Sequence, residues 1–177
     1  KGGGPEKECA DDSGRLNELG VNEICMGDTT VVGKPNQVEQ FVLLRAKRIP
    51  IDQIGLHLHD TRGTALANTV VALEMGVTCF DSSAGGLGGC PYAPGATGNV
   101  ATEDVVYMLE GMGIATGVDM AKLLAATNGI IRLIRRPPVS RVAAARNAKA
   151  RVSNALALSP PARSQHQIGQ PVRTLRP

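Results

Sequence analysis

The chain repeats one design three times: a short apolar run ends in polar residues, and an amphipathic, helix-like stretch follows. The runs are Val21 to Met26 ending in Gly27-Asp28-Thr29, Ile54 to Leu58 ending in His59-Asp60-Thr61, and Val77 to Phe80 ending in Asp81-Ser82-Ser83. Strands alternating with helices at this spacing predict βα units on a parallel sheet, and so an α/β fold. Such a sheet gathers chemistry at the carboxyl ends of its strands, because the loops that follow converge there. The polar residues of all three runs fall at those ends.

The intervening segments carry helix signals. Pro35 to Lys47 opens with proline at a tolerated first-turn position, and Thr64 to Met75 is rich in Ala and Leu before Gly76 stops it. Thr102-Glu103-Asp104 begins another helix, running to about Glu110, with acids in the first turn where the helix dipole favours them. Gly111 and Gly113 end it. Asp119 to Ile134 reads as a further amphipathic helix, and Val139 to Leu156 as helix after Pro137-Pro138. The first fourteen residues read as a loop or a frayed remnant of a preceding element. From Ser159 onward Pro, Gln, Ser and Arg dominate, which predicts a disordered end.

A length of 177 residues fits one domain and falls short of the ~250 of a full eight-fold βα barrel. Aromatic residues make up 2% and Trp is absent, so the core must rest on Val, Leu, Ile, Ala and Met. No apolar run approaches the ~20 residues of a membrane span, and the first ten residues lack a signal-peptide stretch. The expectation is a soluble chain of the cytoplasm, or of the mitochondrial matrix in a eukaryote, without membrane contact. Cys9, Cys25, Cys79 and Cys90 show no C-x-x-C pairing and read as reduced thiols, with Cys25 and Cys79 packing inside their apolar runs.

The net charge of +3 hides an asymmetry. Up to Met120 there are eight basic and sixteen acidic residues; beyond it there are eleven basic and none acidic. A basic block can hold a polyanion, but this one has no aromatics for stacking bases and no nucleic-acid motif. A solvated tail is the expectation, with no nucleic-acid partner.

On a strand over Ile54 to His59, His57 and His59 share one face, with Leu58 opposite. Two imidazoles so placed can reach one cation, or can be hydrogen-bonded in a polar cleft. Asp28 can bind substrate polar groups or move a proton, and it can equally cap a helix or form a turn. Asp60 and Asp81 read as groups that orient neighbours and cap loops. Asn99 is an N-cap or, through its amide oxygen, a ligand to a hard divalent ion. Cys90 sits in the glycine-rich run Gly86 to Asn99 between Gly89 and Pro91, where nearby cationic charge would lower its pKa.

From about Leu16 to Ala148 the chain resembles the C-terminal half of the 3-hydroxy-3-methylglutaryl-CoA lyases, metal-dependent enzymes built on a βα barrel. The resemblance rests on His57-Leu58-His59-Asp60-Thr61, Ala65-Leu66-Ala67-Asn68-Thr69, Asp81-Ser82-Ser83 and above all Gly86-Leu87-Gly88-Gly89-Cys90-Pro91-Tyr92-Ala93. Thr102-Glu103-Asp104 and Tyr107-Met108-Leu109-Glu110-Gly111 extend it. It implies a partial TIM (β/α)8 barrel of about the last three βα units plus C-terminal helices over 1–150, with a basic tail over 151–177.

The reaction implied is cleavage of an acyl-CoA substrate, hydroxymethylglutaryl-CoA, to acetyl-CoA and acetoacetate. His57, His59 and Asn99 would hold a Mg2+ or Mn2+ ion, and Cys90 would take part in proton transfer. Asp28 and Glu103 would support the site, and His57 would serve both as ligand and in proton transfer. The family's arginine-aspartate motif on the first barrel strand has no counterpart, because no Arg-Asp pair occurs in this chain. Val31 stands where the family has glycine, and Lys34 where it has a small polar residue. The expectation is therefore a lyase fragment of weak or absent turnover alone, completed by an N-terminal barrel half or paired as a homodimer. Two alternatives are a non-catalytic interaction module using the basic tail, and a related lyase or synthase acting on another acyl-CoA or 2-oxo acid.

Overall fold

The computed structural model describes residues 6–28, 33–89 and 98–158, with side chains over 12–27, 33–89 and 98–150. Three strands, β1 (Ile24–Asp28), β2 (Ile54–Leu58) and β3 (Cys79–Asp81), form a parallel sheet in the order β1-β2-β3. Helix α2 (Pro35–Arg45) connects the first two strands and α3 (Ala65–Glu74) the second pair. Helices α4 (Thr102–Gly111), α5 (Met120–Ile134) and α6 (Arg141–Leu158) follow the sheet, and α1 (Glu6–Glu18) precedes it. Consecutive parallel strands with helical crossovers are the repeating unit of a (β/α) barrel, as expected from the sequence.

Strand alternation separates the two faces of the sheet. Ile24 and Met26 of β1, and Ile54, Leu56 and Leu58 of β2, are buried together with Val38 and Val42 of α2 and Ala65 and Ala72 of α3. Each large side chain so buried contributes roughly 1.5–3 kcal/mol, which makes this seam the core. The register fixes what the opposite face carries. Cys25 lies beside Gly55 and Cys79 in one row, and Gly27 beside His57 and Asp81 in the next.

Several boundaries differ from the sequence reading. The segment 6–18 is helical rather than loop: α1 packs on α2 and β1, and its Ser13 is buried. The first strand starts at Ile24 rather than Val21. The third starts at Cys79, because Val77 completes the end of α3. Gly76 N–H donates to Leu73 O and Val77 N–H to Ala72 O, the paired bonds of a left-handed helix stop with Gly76 at φ 100°. Cys25 and Cys79 are not core packing residues: Cys25 is exposed and Cys79 only partly covered. Helix α6 runs to Leu158, past residue 150, and residues 159–177 lie outside the described part. Among the described residues no helix is long and apolar enough to cross a membrane.

Candidate active site

The site grows from the carboxyl end of β2. His57 closes the strand's polar face, and His59 follows with the same orientation and is buried. Their Nε2 atoms meet at 3.2 Å, with the ring centroids 5.2 Å apart. The other ring nitrogen of His57 faces a carboxylate on the neighbouring strand: Nδ1 lies 3.3 Å from Asp81 Oδ2. A carboxylate on the far nitrogen fixes the ring's orientation, which is how metal-binding histidines are usually held.

Asn99 joins this pair through the backbone. It forms an isolated antiparallel bridge with His59, while Val100 N–H donates to Leu58 O and Asp60 N–H to Gly98 O. Bridge partners place their side chains on the same side. The Asn99 amide nitrogen donates to Leu87 O at 3.1 Å, which turns its oxygen away from the loop. Gly98 makes the close approach possible: at φ 130°, a Cβ there would lie 2.6 Å from Gly86 O.

The donor set suits a divalent cation. Adjacent ligands on one ion, with bonds of about 2.1 Å, stand ~3 Å apart, close to the separation of the two imidazole nitrogens. Imidazole nitrogen with amide oxygen matches borderline and hard divalent ions. Among the described residues no group of three or more His, Cys, Asp or Glu side chains converges elsewhere or here. The two histidine rings meet each other, and Asn99 is joined to His59 through a backbone bridge.

Asp28 is the last residue of β1, with its backbone beside Leu58, one row beyond His57; its side chain is not described. Cys90 lies outside the described residues. Glu103 is fully buried and reaches the turn at the base of the glycine-rich run rather than the histidine pair. Its carboxylate oxygens accept from Gly85 N–H at 3.0 and 2.9 Å, and Thr127 Oγ1 donates to it as well. Asp60 accepts from Ala65 N–H at 2.9 Å at the start of α3.

Two partners of the site were not legible as such. Cys25 donates its thiol to Asp81 Oδ2 at 3.1 Å, the same oxygen that faces His57. Burial around the sulfur, then the Asp81 carboxylate, push this thiol from 9.0 up to about 12. The Cys79 thiol is pushed up to about 11 by burial and by a hydrogen bond to Glu23. Alternation along β1 was the available signal, since Cys25 falls between the two core residues Ile24 and Met26.

Comparisons with known proteins agree with this architecture. Residues 3–130 match the HMGL-like family model. Over 126 residues the chain is 56% identical to a hydroxymethylglutaryl-CoA lyase of Bacillus subtilis, an alignment covering 71% of this chain and 42% of that protein. Over 131 residues it is 50% identical to the mitochondrial hydroxymethylglutaryl-CoA lyase of Homo sapiens, covering 74% and 40%. A solved structure of an HMG-CoA lyase from Acinetobacter baumannii in complex with coenzyme A and 3-methylmalate superposes with a TM-score of 0.76 at 39% identity, covering 82% of this chain and 48% of that one. The chain spans about two fifths of the length of the curated relatives it matches. Since the family model matches well over half of its residues, across the sheet and its histidine pair, the chain belongs to the HMGL-like family.

Proposed function

We propose that this chain carries part of the active site of a metal-dependent carbon–carbon lyase that cleaves 3-hydroxy-3-methylglutaryl-CoA to acetyl-CoA and acetoacetate. The observation that carries the reading is the meeting of His57 and His59 at 3.2 Å, with Asp81 behind one and Asn99 bridged to the other. Its relatives are named for this reaction, and one of them is solved with coenzyme A. The compartment that fits is the cytoplasm, or the mitochondrial matrix in a eukaryote, where the human relative is placed by name.

His57 Nε2, His59 Nε2 and the Asn99 amide oxygen would hold a Mg2+ or Mn2+ ion. When bound, such an ion supplies Lewis acidity toward the substrate's hydroxyl and carbonyl oxygens. Asp28 at the end of β1 would receive the proton of the tertiary hydroxyl, while His57, backed by Asp81 on its other ring nitrogen, would help hold the ion that acidifies that hydroxyl. As that O–H bond breaks, the oxygen forms the ketone of acetoacetate and the carbon–carbon pair passes to the departing acetyl-CoA enolate. Cys90 returns a proton to the enolate carbon, the role its family likeness assigns. Glu103 supports the loop from below.

Titration of the full chain with Mn2+, followed by electron paramagnetic resonance, tests the ligand set. His57→Ala and His59→Ala should each weaken binding by at least about tenfold. Unchanged Mn2+ affinity in the double variant would remove the basis of the proposal.

A further inference from the structure

Thr127 belongs to α5, yet it is fully buried against the turn that opens the glycine-rich run. Both ends of its side chain are used. Its hydroxyl donates to Glu103 Oε1, and its methyl carbon lies 3.0 Å from where a Cβ on Gly85 would stand. Gly85 is held from three directions: its N–H by the Glu103 carboxylate, its carbonyl by Val139 N–H at 3.0 Å, and its open side by Thr127 with Ile131. At φ 65°, Gly85 adopts a conformation that a side chain rarely permits, and these neighbours close around it.

The turn in turn sets a candidate ligand. Two residues beyond Gly85, the carbonyl of Leu87 accepts the Asn99 amide nitrogen, so the direction of the Asn99 oxygen follows the path of 85–87. We infer that Thr127 is a positioning residue of the metal site: through Glu103 and Gly85 it fixes the Leu87 carbonyl and thereby the amide of Asn99. This rests on the ligand set proposed above. It adds a residue that lies seventy positions along the chain from His57, on the helix α5 rather than on the sheet. Glu103 alone does not complete the arrangement, because without the Thr127 hydroxyl its two buried oxygens are left sharing the single Gly85 N–H, one donor too few for a buried carboxylate.

Thr127→Val keeps the methyl shape and removes the hydroxyl; Thr127→Ser keeps the hydroxyl and removes the methyl. In the full chain, Thr127→Val should weaken Mn2+ affinity about tenfold, the scale of an outer-shell loss, and Thr127→Ser should stay within about twofold of wild type. Amide hydrogen exchange at 85–87 and 99–101, read without metal, should quicken in the valine variant and not in the serine variant. Wild-type Mn2+ affinity together with wild-type exchange in Thr127→Val overturns the inference, as does loss of the fold in the valine variant with equal weakening in the serine variant. If the wild-type chain binds no Mn2+, the ligand proposal fails by itself. The exchange data then still decide whether the hydroxyl holds the turn.

Discussion

Asp81 Oδ2 is shared by two donors of different character, the Cys25 thiol at 3.1 Å and the His57 ring at 3.3 Å. The thiol must stay protonated to donate, and a thiolate beside the carboxylate would repel it. The Cys25 thiol is accordingly raised from 9.0 to about 12 and that of Cys79 to about 11. In the unfolded chain both thiols ionise near 9, while in the folded chain they stay protonated to higher pH. Stability from these contacts is present below about pH 9 and is lost as pH rises toward 11 to 12. Denaturant unfolding between pH 8 and 11 should therefore show falling stability, and Cys25→Ser should flatten part of that slope. A Cys25→Ser curve parallel to wild type would show that the thiol does not contribute. At this scale the sequence was partly readable. The H-x-H spacing on a strand put both imidazoles on one face, whereas the apolar run around Cys25 suggested packing, and strand alternation instead turns its thiol to the exposed face.

At the scale of elements, the two acids that open α4 behave differently from simple partners of a helix dipole. Glu103 turns inward to Gly85, and Asp104 holds the start of α6. Asp104 Oδ1 accepts from Ser140 Oγ at 2.7 Å and from Val142 N–H at 2.9 Å, while Oδ2 accepts from Arg141 N–H at 3.1 Å. Ser140 Oγ completes the cap by accepting from Ala143 N–H at 3.0 Å. Asp104→Ala strips partners from three donors at a partly buried helix start, and should lower stability by about 2–3 kcal/mol in urea unfolding at pH 7. Asp104→Asn, which keeps one amide oxygen, should lose less. A change under about 0.5 kcal/mol in the alanine variant would mean that α6 is held by its other contacts. The sequence marked most helices well where proline, glycine or a capping acid punctuated them, as with Asp119, which caps α5 by accepting from Ala121 and Lys122. It missed α1, whose Asp11-Asp12-Ser13-Gly14 core has low helix propensity and is ordered by packing on α2 and β1.

Across the whole molecule, the sheet covers one face with helices and presents Cys25, Gly27, His57, Cys79 and Asp81 on the other. In a closed (β/α)8 barrel that second face is the interior, and the site at its carboxyl end is built from the ends of several strands. The relatives are more than twice as long as the region they share with this chain. The resemblance also assigns them an arginine-aspartate pair, which does not occur among these 177 residues. Removing one preorganised charge that stabilises a developing anion costs on the order of 10²–10³ in rate. The 177-residue chain alone should therefore bind Mn2+ yet release acetyl-CoA from hydroxymethylglutaryl-CoA at least about a hundredfold more slowly than when mixed with the N-terminal barrel half of the B. subtilis relative. Association of the two pieces would be followed by size-exclusion chromatography, and the rate by a coupled assay for acetyl-CoA. A rate unaffected by the added half would show that the residues on this chain suffice, and would place the groups that stabilise the enolate among them. If the pieces associate and the rate rises only with His57 and His59 intact, the rate of the completed barrel depends on the histidine pair and on the ion it would hold.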